Sequence, residues 1–220
     1  MITEATNYRA VVSQLPVGDV VTFHDVIWEE YEELLDQVGE AAGLRISFND
    51  GTLKVMSLSA EHEKYVRFIE SLIGAVRLRL RINIVSFGSA TMRKRKKSKG
   101  NEPDACFYVQ TAAVIGNRID LDFEIDPPPD VVVEVDVHHD STDNDAIYAA
   151  LGVPEIWRYD GHEMTIYHLQ QDGEYVVAET SHALPMLTGQ ILTRYLTRLR
   201  QDGEFEAILA FDEWLQSLQQ

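Results

Sequence analysis

Three consecutive prolines run straight into an apolar strand pattern at residues 127–137, "PPPDVVVEVDV". Pro127, Pro128 and Pro129 remove three backbone donors and hold the chain extended, so no helix passes through them. The valine-rich run that follows reads as a strand buried in the interior of a sheet. Along it, Val131, Val133, Val135 and Val137 share one face, while Asp130, Val132, Glu134 and Asp136 share the other. A carboxylate taken out of water is costly unless a cation or a donor compensates, so acids interrupting a sheet interior mark the first place to look for chemistry. These acids are expected to converge.

Thirty residues before Glu134, "NEPDACFYV" brings Asp104 onto another expected strand. Two carboxylates and the carbonyl of a following residue form a hard, all-oxygen set suited to Mg²⁺ or Mn²⁺. Such an ion polarises a phosphoryl oxygen and lowers the pKa of bound water, which is what phosphodiester hydrolysis requires. Ordinary acidic strand ends are the other reading of the same residues.

The rest of the chain reads as scaffold. Val26, Ile27, Tyr31, Leu34, Leu35 and Val38 recur at helical spacing and predict an amphipathic helix over 22–39, opened by Thr22 or His24-Asp25 and closed near Gly39. "LRISFNDGTLKVMS" alternates on both sides of Asn49-Asp50-Gly51, a hairpin signal. Ser59 caps a second helix whose stripe of Tyr65, Val66, Ile69, Leu72, Ile73, Val76 and Leu80 also draws in His62, read either as a core histidine or as a residue beside a metal. Strands are expected over 82–92 and 103–109, flanking a basic loop, and Gly116-Asn117 is a candidate hairpin turn. A short helix at 143–151 stops at Gly152, and "EIWRYD", "MTIYHL" and "EYVVAE" read as strands. Residues 187–218 are expected to form a mainly helical C-terminal extension without chemistry.

With 220 residues, 45% of them hydrophobic, one globular domain spanning 1–220 is expected. The absence of a long apolar run or a signal-like start points to a soluble, cytoplasmic protein without membrane contact. Lone Cys106 lies in an apolar strand pattern and reads as a buried structural thiol. A net charge of −17 argues against a general nucleic-acid binder. Arg93, Lys94, Arg95, Lys96, Lys97 and Lys99 are the exception, and form either a solvated loop or a loop contacting nucleic-acid phosphates.

"NEPDACFYV", "DPPPDVVVEVDV" and "IYAALGVPEIWRYD", taken in this order, closely resemble the Uma-type restriction endonuclease family, a branch of the PD-(D/E)XK nuclease superfamily. The resemblance covers about residues 40–180. It implies an α/β (α+β) fold, a restriction-endonuclease-like mixed sheet flanked by helices, acting as an endonuclease on phosphodiester bonds in DNA, often as a homodimer. It also makes Asp104 and Glu134 the metal-binding acids, with the Val135 carbonyl as a third contact and Asp136 either a further carboxylate or a solvent-facing strand end. The superfamily's usual lysine, two residues after the Glu or moved to the following helix, is missing: Asp136 and Asn144 stand in those places, and no lysine follows Lys99. Asn144 can orient a water but brings no positive charge. Arg118, Arg158 or a lysine of the 94–99 loop are the candidates to compensate. His138 and His139 read as loop residues or as metal ligands. A slow or inactive nuclease, a non-catalytic nuclease-fold binding protein and a hydrolase of small phosphate esters are the functions these residues allow.

Overall fold

The computed structural model describes residues 8–39 and 43–219; residues 1–7, 40–42 and 220 lie outside that set. Two sheets organise the chain. The first is antiparallel and takes β1 (Val20–Phe23), β2 (Leu44–Asn49), β3 (Thr52–Ser57), β5 (Met92–Lys94) and β6 (Lys99–Asn101) in the order β1-β3-β2-β6-β5. The second takes β4 (Val85–Ser86), β7 (Ala105–Tyr108), β8 (Val131–Val135), β9 (Glu155–Tyr159), β10 (Met164–Leu169) and β11 (Tyr175–Ala178) in the order β11-β10-β9-β8-β7-β4. Among the described residues only β8 and β9 run parallel, and a parallel pair needs a crossover, here the helix α5 (Asp145–Leu151).

Every residue of β8 is buried, because helices cover both of its faces. On one face Val131, Val133 and Val135 meet Tyr65, Ile69 and Ile73 of α3 (Ala60–Leu80). The same core takes Leu192, Leu196 and Leu199 from α6 (Gly189–Gln201) and Phe211 and Leu215 from α7 (Glu204–Ser217). On the other face Cys106, Val132 and Ile156 pack against Ile147, Tyr148 and Leu151 of α5. Cys106 is fully buried, as its strand pattern implies, and burial pushes its thiol pKa up to about 12.

The first sheet also has two unlike faces. Ile46 and Phe48 of β2 and Leu53 and Val55 of β3 pack on Tyr31 and Leu34 of α2 (Trp28–Val38), with the Tyr31 and Phe48 rings stacked 4.9 Å apart. Alternation sends Arg45, Ser47, Lys54 and Met56 the opposite way, and these four line a common cleft. The hairpin joining the two strands turns through Asp50 (φ 46°) and Gly51 (φ 88°), both in the left-handed region that an Asn-Asp-Gly sequence tolerates.

Several boundaries differ from expectation. The helix expected from residue 22 starts at Trp28, because Val20–Phe23 pair as β1 with β3 and Asp25 turns the chain at φ 58°. The strand expected over 82–92 splits, since β4 belongs to one sheet and β5 to the other. The basic loop is a hairpin: Met92–Lys94 and Lys99–Asn101 pair across a single 3₁₀ turn at Arg95–Lys97. Gly116-Asn117 makes no hairpin; Gly116 ends the one-turn helix α4 (Ala112–Ile115), with its N–H on the Ala112 carbonyl. Among the described residues no helix is long and apolar enough to cross a membrane. The remaining short helix, α1, spans Tyr8–Val12.

Candidate functional site

Asp104 immediately precedes β7 and is tied to the strand that carries Glu134. Its N–H donates to the Val133 carbonyl at 3.1 Å, and its Oδ2 accepts from the Val135 N–H at 2.8 Å. His62 Nε2, from the first turn of α3, lies 2.9 Å from the same oxygen, and Arg45 Nε donates to Oδ1 at 3.0 Å. Ser59 fixes the histidine by capping the helix: its side chain accepts from the His62 N–H at 3.1 Å. Asp104 and His62 are both buried, and the other ring nitrogen of His62, Nδ1, is buried without a hydrogen bond among the described residues.

Glu134 is buried from the opposite face of the sheet's end. Its Oε1 accepts from the Tyr148 hydroxyl, from Asn101 Nδ2 at 3.4 Å and from Asn144 Nδ2 at 3.4 Å. All three donors are neutral and fall on one oxygen. Burial, and next to it the charge of Asp104, push the Glu134 pKa up to about 8, with the Tyr148 hydrogen bond pulling the other way. Burial and Glu134 likewise hold the Tyr148 phenol well above its ordinary range.

A small cleft of about 30 Å³ opens beside Glu134, lined also by Asp136, Ser141, Asn144, Arg45, Ser47, Lys54 and Asn101. Strand register explains the last three. Lys54 pairs with Ser47 and Ser47 with Asn101, so they form one row across β3, β2 and β6. That row ends where Asn101 donates to Glu134.

The expected acids do not all converge. Asp130 lies at the far end of β8, where its Oδ2 accepts from the Val109 N–H at 2.6 Å and from the Thr111 N–H and hydroxyl at 3.0 and 2.9 Å. Shared face does not mean shared site, because four residues along a strand span about 13 Å. Asp136 does reach the cleft, but Ser141 donates to it at 3.1 Å through N–H and hydroxyl, and Arg158 Nε lies 3.2 Å away. Burial raises the Asp136 pKa against those partners.

Of the compensating cations foreseen, Arg118 is remote, bonded to the Val114 and Ile115 carbonyls and 3.4 Å from Asp126. Arg158 is committed to Asp136 and, at 2.6 Å, to Asp145. In the basic hairpin, Arg95 pairs with Glu29 and Glu32 and Lys99 with Asn49 and Asp50, while Arg93 and Lys94 lie on β5 and Lys96 and Lys97 in its turn. His138 faces Glu61 at 3.5 Å, and the His139 ring contacts the Gly18 carbonyl while its side chain lines the cleft. Arg45, Ser47, Lys54, Asn101 and Tyr148 had not been singled out from the sequence. For all but Asn101 and Tyr148 the signal was present, since polar residues alternate with the apolar ones of the first hairpin.

A mixed sheet sandwiched by helices, with buried acids where two neighbouring strands end, is the architecture of restriction-endonuclease-like nucleases. A crystal structure of a putative nuclease belonging to DUF820 from Anabaena variabilis shares it: TM-score 0.52, 17% identity, covering 75% of this chain and 97% of that one. The Uma2 family, described as "Putative restriction endonuclease", matches residues 28–199, and the chain belongs to that family. No curated protein matches the chain.

Proposed function

We propose that this protein is a divalent-metal-dependent endonuclease that hydrolyses phosphodiester bonds in DNA at the Asp104–Glu134 pair. The observation that carries the reading is a pair of buried carboxylates, of which Glu134 lines a polar cleft and is raised to about 8 by burial and, next to it, by the charge of Asp104. A small hard cation would stabilise the ionised form of such an acid and displace its proton. The donor set fits Mg²⁺ or Mn²⁺ in kind: carboxylates of Glu134 and Asp104, with Asp136 and the Val135 carbonyl adjacent. Glu134 Oε2 accepts no hydrogen bond among the described residues, which leaves it available as a ligand. Among the described residues no group of three or more His, Cys, Asp or Glu is arranged as a ready metal site. Arg45 and His62 occupy Asp104, so binding through that carboxylate would require Arg45 to turn away.

A bound ion would supply polarisation of a phosphoryl oxygen and a more acidic water. The chain's own residues do the rest: Tyr148 and Asn101 hold Glu134 in place, His62 holds Asp104, and Asn144 offers an amide to a water beside Glu134. The basic hairpin supports DNA as the polymer, because Lys99 stands two residues before Asn101 on β6, about 7 Å along the strand. A homodimer would give one site per strand. Cleavage of labelled DNA with Mg²⁺ or Mn²⁺ is the expected result. Cleavage that persists unchanged in Asp104→Ala would sink the site assignment.

A second reading has its own observation. Asn144 stands at the usual lysine position, and Asp104 already has Arg45 and His62 as partners, which suits a nuclease-fold binding protein that no longer cuts. Calorimetry separates the two, since the binding protein takes up no Mn²⁺ at millimolar concentration.

A further inference from the structure

We propose that Lys54, on the first hairpin, supplies the positive charge that position 144 lacks. The inference rests on the nuclease reading above and names a catalytic residue for it.

The protein has six lysines, and four of them lie in the basic hairpin between Lys94 and Lys99. Lys64 is on α3 and does not line the cleft. Lys54 does line it, together with Glu134, Asp136 and Asn144. Its direction follows from the alternation of β3: Leu53 and Val55 enter the core against α2, so Lys54 must emerge on the opposite face. The register then aims it, because Lys54, Ser47 and Asn101 form the row whose last member touches Glu134.

The cleft has one other strong cation, and it is already bound. Arg45 donates to Asp104 at 3.0 Å and lies 3.6 Å from Glu63. Arg158, just outside, is locked between Asp136 and Asp145. Among the described residues Lys54 has only looser ties: the Asp140 carbonyl at 3.4 Å and, at 3.8 Å, the carboxylate of Asp143, whose side chain is 86% exposed. Both ties come from the 140–143 segment that leads into Asn144. An ammonium on a flexible stem can exchange such partners for a phosphate oxygen without leaving a buried acid uncompensated.

In the hydrolysis, the water oxygen forms the new bond to phosphorus and the bond from phosphorus to the departing sugar oxygen breaks. Overall one proton passes from the attacking water to the departing oxygen through solvent. Lys54 keeps its own protons. It donates a hydrogen bond and charge to the non-bridging oxygens, where negative charge builds up as the water adds.

DNA cleavage and Mn²⁺ binding measured on four full-length proteins test this: wild type, Lys54→Met, Lys54→Arg, and Lys54→Met combined with Asn144→Lys. Lys54→Met should lower kcat by about 10²-fold or more with Mn²⁺ affinity unchanged, while Lys54→Arg retains activity to within about tenfold. Asn144→Lys should return at least about tenfold to Lys54→Met, because charge delivered from the helix replaces charge delivered from the hairpin; a merely structural lysine would not be rescued this way. Thermal melting of Lys54→Arg shows that the fold is kept. If wild type cuts and Lys54→Met cuts within about threefold of it, the Lys54 assignment fails while the nuclease reading stands. If wild type neither cuts nor binds Mn²⁺, both fail, and the missing metal binding identifies the metal centre as the cause.

Discussion

Asp130 and Glu134 sit on the same face of one run of chain, four residues apart, and have opposite surroundings. Asp130 accepts three hydrogen bonds, two from backbone N–H groups and one from Thr111, and it pins the 109–111 turn to the start of β8. Among the described residues Glu134 has only neutral side-chain donors, all on one oxygen, and it lies close to a second buried acid. The first end stabilises its charge with nothing left over. The second carries an acid whose ionised form the protein does not fully compensate, and a perturbed acid of this kind is a candidate for a partner supplied from outside.

The largest expected effect tests this contrast directly. Glu134→Gln should lower DNA cleavage by on the order of 10²–10⁴-fold, whereas Asp130→Asn should leave the activity per folded molecule nearly unchanged. Equal losses in both would erase the distinction. Stability should reverse the order. Asp130→Ala strips the acceptor from two backbone N–H groups and should cost about 2–4 kcal/mol in urea unfolding.

The pH dependence sharpens the comparison further. A carboxyl raised to about 8 from an ordinary 4.5 binds its proton more tightly folded than unfolded. Its stabilising contribution is therefore complete below about 4.5 and is lost as pH rises through 8. Without divalent ions, Glu134→Gln should melt above wild type at pH 8 and close to it at pH 5. A wild-type advantage at pH 8 would mean that Glu134 is better compensated than its neighbours indicate. Smallest is Tyr148→Phe, which removes one donor from Glu134 while leaving both asparagines; it should cost about 1 kcal/mol at pH 8 and less at pH 5.

Glu155 extends the lesson. It is fully buried at the start of β9, next to the strand of Glu134, and accepts from Trp157 Nε1 and from the His182 and Ala183 N–H groups. In "GVPEIWRYD" it reads only as part of a motif. It is in fact a clamp that holds the 181–184 segment to the sheet, so burial of an acid by itself does not identify a site.

Much of the layout was legible locally. The prolines and valines located β8, the alternation around Asn49-Asp50-Gly51 located the first hairpin, and the α3 stripe brought His62 toward the core. Asp104 and Glu134 stood out because acids are out of place in apolar strands. Gly116 was misread locally, as a hairpin turn rather than a helix end, and two other errors came from long-range competition. Val20–Phe23 joined a sheet rather than a helix because β3 offered an edge, and 82–92 broke because its two ends pair in different sheets.

By itself the sequence determined which segments extend, which coil, and which acids the core would have to accommodate, since those follow from period, proline and burial. Only the tertiary structure decided which of those acids meet. It set Asp130 apart from Glu134, gave Arg45 to Asp104, and aligned Lys54, Ser47 and Asn101 into one row at the cleft. Register between strands distant in sequence is set by the packing of whole sheets, and no local pattern encodes it.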